Sequence, residues 1–197
     1  MLDIFISSVT SQLSVLIFSD RINYFKKVED KDFLVELPKI FDNDDVKKIL
    51  KDDILGNIFI LSKVGKLTGM RIGESFAKGL IFGDDEGKLI RFNAHDVLGF
   101  FSKSENKILS IIKIRKNSYS LALFSNRNVF RRISRDFELQ GDELKNYIER
   151  NRFFLIGEGA KDFLPSIDEK YLFPDALKMF HYHRGINGKD NGFDTCM

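Results

Sequence analysis

The chain has 197 residues and a mass of 22.8 kDa, enough for one substantial domain or two small lobes around a shared core. Its 43% hydrophobic and 30% charged residues exclude wholesale disorder, and 31 Lys+Arg against 29 Asp+Glu leave a charge of +2 that names no partner. One cysteine, Cys196, excludes an intrachain disulfide framework and a cysteine-rich zinc site.

The apolar start, Ile4 to Phe18, is broken by Ser7, Ser8, Thr10, Ser11, Gln12 and Ser14, and no basic residue precedes it. Neither a signal peptide nor a bilayer span is expected from it, which leaves a reduced cytoplasm as the expected location. Leu2–Val9, Leu13–Ser19 and Asn23–Val28 are β-branched and aromatic, and read as three strands joined by short turns. A helical pattern follows from Asp30 to Phe41, with Phe33, Leu34, Leu37 and Ile40 on one stripe and Pro38 predicting a kink or early stop. Asp42 and Asn43 cap a second short helix. Ile54–Ser62 reads as a buried parallel strand. Thr68 then caps a helix to about Phe82, stopped by Gly83-Asp84-Asp85. Leu89–Phe92 is a strand and Ala94–Phe101 a helix.

The second half restarts with strands at Ile108–Ile114, Ser118–Ser125 and Val129–Ser134. A helix at Asp142–Arg150, a strand at Phe153–Ile156 and a helix at Pro174–His183 complete it. The order nearly repeats. Two units of three antiparallel strands followed by crossovers predict an α/β chain of two actin-like (ribonuclease-H-like, ASKHA) lobes, with mixed, five-stranded-type sheets flanked by helices. The expected division is 1–102 for the first lobe, 103–184 for a reduced second lobe, and a mobile tail over 185–197.

The glycine segment Val64 to Leu80 fails as a P-loop, because no Lys-Ser/Thr pair follows its second glycine, and it fails as a dinucleotide fingerprint. What remains is Gly69, Gly73 and Ala77 along one side of a helix, a face with almost no side-chain volume. Each helical glycine costs about 1 kcal/mol relative to alanine, so close approach by another backbone is expected there. That backbone belongs either to the chain's own sheet or to a partner. Asp42-Asn43-Asp44-Asp45 lacks the glycine and terminal glutamate of a calcium loop and reads as a helix cap. His95, His181 and His183 read as surface or cap residues, with no metal expected. The interval between Asn106 and Arg135 holds no acid, whereas Glu29 to Asp53 holds nine acids against five lysines. The basic interval reads as a solvated face or an approach for RNA phosphates, with Arg127, Arg131, Arg132 and Arg135 as the candidates.

The stretch Thr68-Gly69-Met70-Arg71-Ile72-Gly73, continuing through Ala77-Lys78-Gly79-Leu80, resembles the signature of the bacterial TsaB family. That family carries Gly-Pro-Gly-Ser-Phe-Thr-Gly-x-Arg-Ile-Gly, followed by Ala-Lys-Gly-Leu. Here Lys63, Val64, Lys66 and Leu67 replace its first Gly, Pro, Ser and Phe, whereas Gly65 is kept. Ser14-Val15, Leu37-Pro38 and Gly157 agree at three further places. The resemblance implies two actin-like lobes and a non-catalytic subunit in the formation of N6-threonylcarbamoyladenosine in tRNA. It implies a TsaD-like transferase as heterodimer partner, a TsaE-like ATPase as third component, tRNA met through the assembled complex, and no cofactor. Self-pairing is an option when the partner is absent.

The implied partner contact uses Phe33, Leu37, Ile40, Thr68, Gly69, Arg71, Ile72, Gly73, Phe76, Ala77 and Leu80. Ser7-Ser8 stands where ATP-using members of the wider fold place a metal-holding acid, and Lys113 stands at the corresponding place in the second lobe. The alternatives are a small actin-like kinase or ATPase, and an unrelated α/β interaction module.

Overall fold

The computed structural model describes residues 1–29, 31–82, 87–126 and 128–188. Three antiparallel strands open the chain, β1 (Leu2–Ser7), β2 (Gln12–Phe18) and β3 (Ile22–Glu29). Two helices follow, α1 (Phe33–Asp42) and α2 (Asp44–Asp52). The strand β4 (Leu55–Ser62) then pairs parallel with β1, and α3 (Leu67–Leu80) crosses to β5 (Lys88–Asn93), parallel to β4. The first sheet therefore runs β3-β2-β1-β4-β5. After α4 (Ala94–Phe101) the plan restarts with β6 (Lys107–Arg115) antiparallel to β7 (Ser118–Ser125). The third strand is split. Both β8 (Arg131–Arg132) and β9 (Phe137–Gln140) pair with β7, where the sequence pattern predicts a single strand at Val129–Ser134. Helix α5 (Gly141–Glu149) leads to β10 (Phe153–Ile156), which lies parallel to β6, and α6 (Ala176–Ile186) ends the described chain. These two mixed sheets, each opening with three antiparallel strands and continuing with a parallel one, are the two-lobed actin-like plan.

Alternation along the strands explains the layering. Leu2, Ile4 and Ile6 of β1 turn to a core shared with α1, α2 and α3, while Phe5 turns the other way. That middle core also takes Phe59 of β4, Val97 and Leu98 of α4, Ile108 and Ile112 of β6, and Met179 and Phe180 of α6. A third core, with Leu109, Ile111 and Leu144, lies on the far side of the second sheet. Helix α6 thus returns from the second lobe to the first, packing on β1, β2 and α4. Phe5 and Phe59, paired across β1 and β4, stack at 4.3 Å between ring centres, with Phe180 edge-on to Phe5 at 5.7 Å. Among the described residues, no helix is long and apolar enough to cross a membrane.

Local chemistry sets the element ends. Asn43 caps α2 through hydrogen bonds from Asp45 N–H and Val46 N–H, and the neighbouring Asp42 pairs with Lys47 at 2.6 Å. Pro38 does not stop α1, because Ile40 and Phe41 beyond it are buried and hold the last turn. Thr68 is not the cap of α3; the helix begins at Leu67 after Lys66, with no side-chain cap. The expected stop at Gly83-Asp84-Asp85 and most of the 185–197 tail lie outside the described residues.

The entry to α3 is the tightest place in the first lobe. Lys63 has φ +74° and Gly65 φ +127°, both in the region that favours glycine. Lys66 N–H donates to Val9 O at 2.7 Å, and Ser8 Oγ donates to Gly69 O at 2.9 Å. A Cβ on Gly69 would overlap Ser8 O, and one on Gly73 would overlap Ser8 Oγ. The small stripe of α3 therefore lies under the end of β1. Gly69→Ala is expected to lower stability by about 1–3 kcal/mol through overpacking against backbone, despite alanine's better helix propensity. Gly79→Ala on the same helix, where a Cβ meets nothing within 4 Å, is expected to gain up to about 1 kcal/mol. Urea midpoints of the two variants check both signs.

Candidate functional site

The β1–β2 turn, the start of α1 and the start of α3 enclose a groove of about 560 Å³. Thr10, Ser11, Lys31, Phe33, Lys66 and Ile72 are among its walls, and Ile114 of β6 reaches it from the second lobe. At the end of β1 the two serines are committed to backbone carbonyls. Ser7 Oγ donates to Pro174 O at 2.7 Å and Ser8 Oγ to Gly69 O. Ser11 donates through both N–H and Oγ–H to Glu158 Oε2, at 2.9 and 3.0 Å, so a carboxylate of the second lobe covers the turn. Gly157 (φ +92°) precedes Glu158 and presses on Ile111 O, a position closed to any Cβ.

Three exposed aliphatics lie on α1 and α3 beside this groove, next to the exposed Thr68 and Arg71. Leu34 is 66% exposed, Val35 46% and Leu67 55%. Isolated exposed aliphatics are ordinary; these three stand together beside a groove lined by Phe33 and Ile72.

Solved structures supply the comparison. The chain matches YeaZ from Pseudomonas aeruginosa with a TM-score of 0.69 at 15% identity, covering 95% of this chain and 93% of that one. The fold is that of YeaZ. A second Pseudomonas aeruginosa structure, of an uncharacterized protein described as similar to peptidase YeaZ, matches with a TM-score of 0.67 at 13% identity, over 98% and 94% of the two chains. YeaZ is of the TsaB family, so the structural likeness and the Thr-Gly-x-Arg-Ile-Gly resemblance point the same way. No protein-family model matches the sequence, and no curated protein matches it.

Within this YeaZ-like frame the expected contact residues separate into two sets. Thr68 and Arg71 are exposed, and Phe33, Ile72, Phe76 and Leu80 are half-buried along α1 and α3. Leu37, Ile40, Gly69, Gly73 and Ala77 are buried inside the chain, which corrects their assignment to a partner surface. Leu37, Ile40 and Ala77 belong to the core under the first sheet, and the two glycines meet Ser8. Leu34, Val35 and Leu67 are surface residues that the sequence pattern does not reveal. Helical spacing places Leu34 on the core stripe, whereas in the fold α1 turns Leu37, Ile40 and Phe41 inward instead.

The basic interval is sorted in the same way. Arg132 is not free for RNA: it pairs with Asp96 at 2.6 Å and with Asp136, donates from Nε to Ser134 O, and lies over the Phe124 ring. Burial pushes the Asp96 carboxyl up, against the pull of that guanidinium. Arg131 and Arg135 are exposed, and Arg127 lies outside the described residues. Lys113 pairs with Asp162 at 2.7 Å, and Tyr119 donates to the same carboxylate at 2.6 Å. Burial and that carboxylate push the Tyr119 hydroxyl up to about 12.

His95 is neither a surface residue nor a cap. It is fully buried on α4, with Nδ1 2.8 Å from Ser110 Oγ and Nε2 3.0 Å from Ser120 Oγ. Burial drives its pKa down to about 3, so the ring is neutral in the folded chain. An unfolded histidine takes a proton near pH 6.5. Between pH 6.5 and about 3 the unfolded state therefore binds one more proton, and stability falls as pH falls, by about 1.4 kcal/mol per pH unit from this residue. His95→Gln is expected to flatten the stability profile between pH 6 and 4 by that slope. Urea unfolding at four pH values measures it.

Proposed function

We propose that this chain is a TsaB-type, non-catalytic subunit that pairs with a TsaD-like transferase in forming N6-threonylcarbamoyladenosine in tRNA. The apolar face beside the α1–α3 groove carries the reading. It is the exposed hydrophobic surface on the helices that hold the TsaB-like motif. Thr68 and Arg71 of that motif point outward beside it, while its glycines serve the chain's own packing. The pairing is thus assigned to Phe33, Leu34, Val35, Leu67, Ile72 and their exposed neighbours rather than to the glycine stripe.

The end of β1 supports a role without nucleotide hydrolysis by this chain. Ser7 and Ser8 supply no charge to balance a divalent ion, and both hydroxyls are spent on carbonyls. A TsaE-like ATPase and tRNA belong to the assembled complex in this reading, and the cytoplasm is its setting. The competing reading, a small actin-like kinase or ATPase, requires chelator-sensitive ATP binding by the purified chain.

Leu34→Asp combined with Leu67→Asp tests the assignment. Both side chains are more than half exposed, so the chain is expected to unfold within about 0.5 kcal/mol of the unmodified protein per site. Affinity for the TsaD-like subunit is expected to fall at least tenfold, since truncated interface anchors cost about 2 kcal/mol or more. Unchanged co-elution of the folded variant would remove this face from the proposal.

A further inference from the structure

The second sheet gathers cations that are far apart in sequence. Phe153 of β10 lies beside Lys107 of β6, and Ser125 of β7 beside Arg131 of β8. The β6–β7 register, Ile108 to Phe124, puts Lys107 and Ser125 next in line. One row thus crosses four strands from Phe153 to Arg131, with Arg152 just ahead of it. Strands sit about 4.8 Å apart, so the row spans about 14 Å. Lys107, Arg131 and Arg152 are all exposed, and none has an ion pair or side-chain hydrogen bond among the described residues. Arg135, equally unpaired, lies four residues beyond Arg131, where the chain has run back along β7 towards Leu121 and away from this row.

Arg132 explains how this edge is held. Its two carboxylate partners and its bond to Ser134 O fix the segment after β8, while Ile133 N–H and Ser134 Oγ bond to the Leu123 backbone. With Arg132 turned inward onto Phe124, its neighbour Arg131 faces solvent. Glu105 and Glu149 are the acids nearest in sequence to Lys107 and Arg152, and neither is paired with them.

We propose that this end of the second sheet, carrying Lys107, Arg131 and Arg152, binds the phosphate backbone of an RNA. The cations are spread along a row instead of converging on a point, which suits a polyanion with charges spaced along a chain. That the polyanion is RNA rests on the proposed tRNA-modification role. The surface lies on the other lobe from the α1–α3 face, so the two assignments fail separately.

The test uses the full chain and a fluorescein-labelled, unmodified tRNA transcript, titrated by anisotropy from 50 to about 300 mM KCl. The expected result is salt-dependent binding, with Lys107→Gln/Arg131→Gln reducing the slope of log K against log salt by about 1.4–1.8. Pairing with the TsaD-like subunit is expected to stay unchanged in that variant, and circular dichroism checks its fold. Absence of binding at 50 mM KCl, an unchanged slope, or displacement of the RNA by equimolar poly-glutamate would each overturn the proposal, the last in favour of an acidic polypeptide.

Discussion

The near-contact of helix α3 with the end of β1 is the constraint on which the first lobe is built. Ser8 and Val9 occupy the volume that side chains at 65, 69 and 73 would need. Two hydrogen bonds, Lys66 N–H to Val9 O and Ser8 Oγ–H to Gly69 O, pin the helix there. With α3 seated so closely, Ala77 reaches the core, and Ile72, Phe76 and Leu80 flank it against α1 and α2. The outward orientation of Thr68, Arg71 and Leu67 follows from the same seating. The exposed apolar face of α1 and α3 is therefore a consequence of internal packing, and its shape depends on glycines that never reach the surface.

Polar groups in the interior join the lobes where apolar contact alone would leave their register loose. Glu158 holds the β1–β2 turn, Ser14 Oγ accepts from Ala176 N–H at the start of α6, and Lys27 pairs with Asp175, its cap residue. His95 ties α4 to both β6 and β7 through serine hydroxyls. Each of these is specific in direction as well as distance, whereas the aromatic stack of Phe5, Phe59 and Phe180 fills volume. Burial keeps the His95 ring neutral, so the same residue that orders the second sheet makes it sensitive to acid.

Much of the fold was legible because strand alternation and element order are local. Ala94–Phe101, Ser118–Ser125 and Phe153–Ile156 fall where the sequence places them, and the repeated order of elements leads to the two-lobed plan. The failures have a common origin in tertiary packing. Phe137–Gln140 carries Glu138 and Gln140 on its exposed side and is only four residues long, so its pairing with β7 leaves little pattern. Helical spacing showed that Gly69, Gly73 and Ala77 share a side, but spacing is the same whether that side meets a strand or another subunit. The charges of Arg131 and Arg132 are indistinguishable in sequence. Only the carboxylates of Asp96 and Asp136, the latter beyond the acid-free interval, separate a structural arginine from a free one.

The return of α6 to the first sheet has a kinetic consequence. Ser14 and Ala176 bond across 162 positions, and Phe180 covers Phe5 and Phe18 from the far end of the chain. During synthesis, β1, β2 and β4 can pair early, but their inner face stays open until about residue 180 has emerged. Contacts of such long sequence separation slow folding and lengthen the time that apolar surface is exposed to aggregation. A ribosome that stalls or terminates before α6 would thus release a first lobe with its aromatic face bare, a ready substrate for chaperones and proteases.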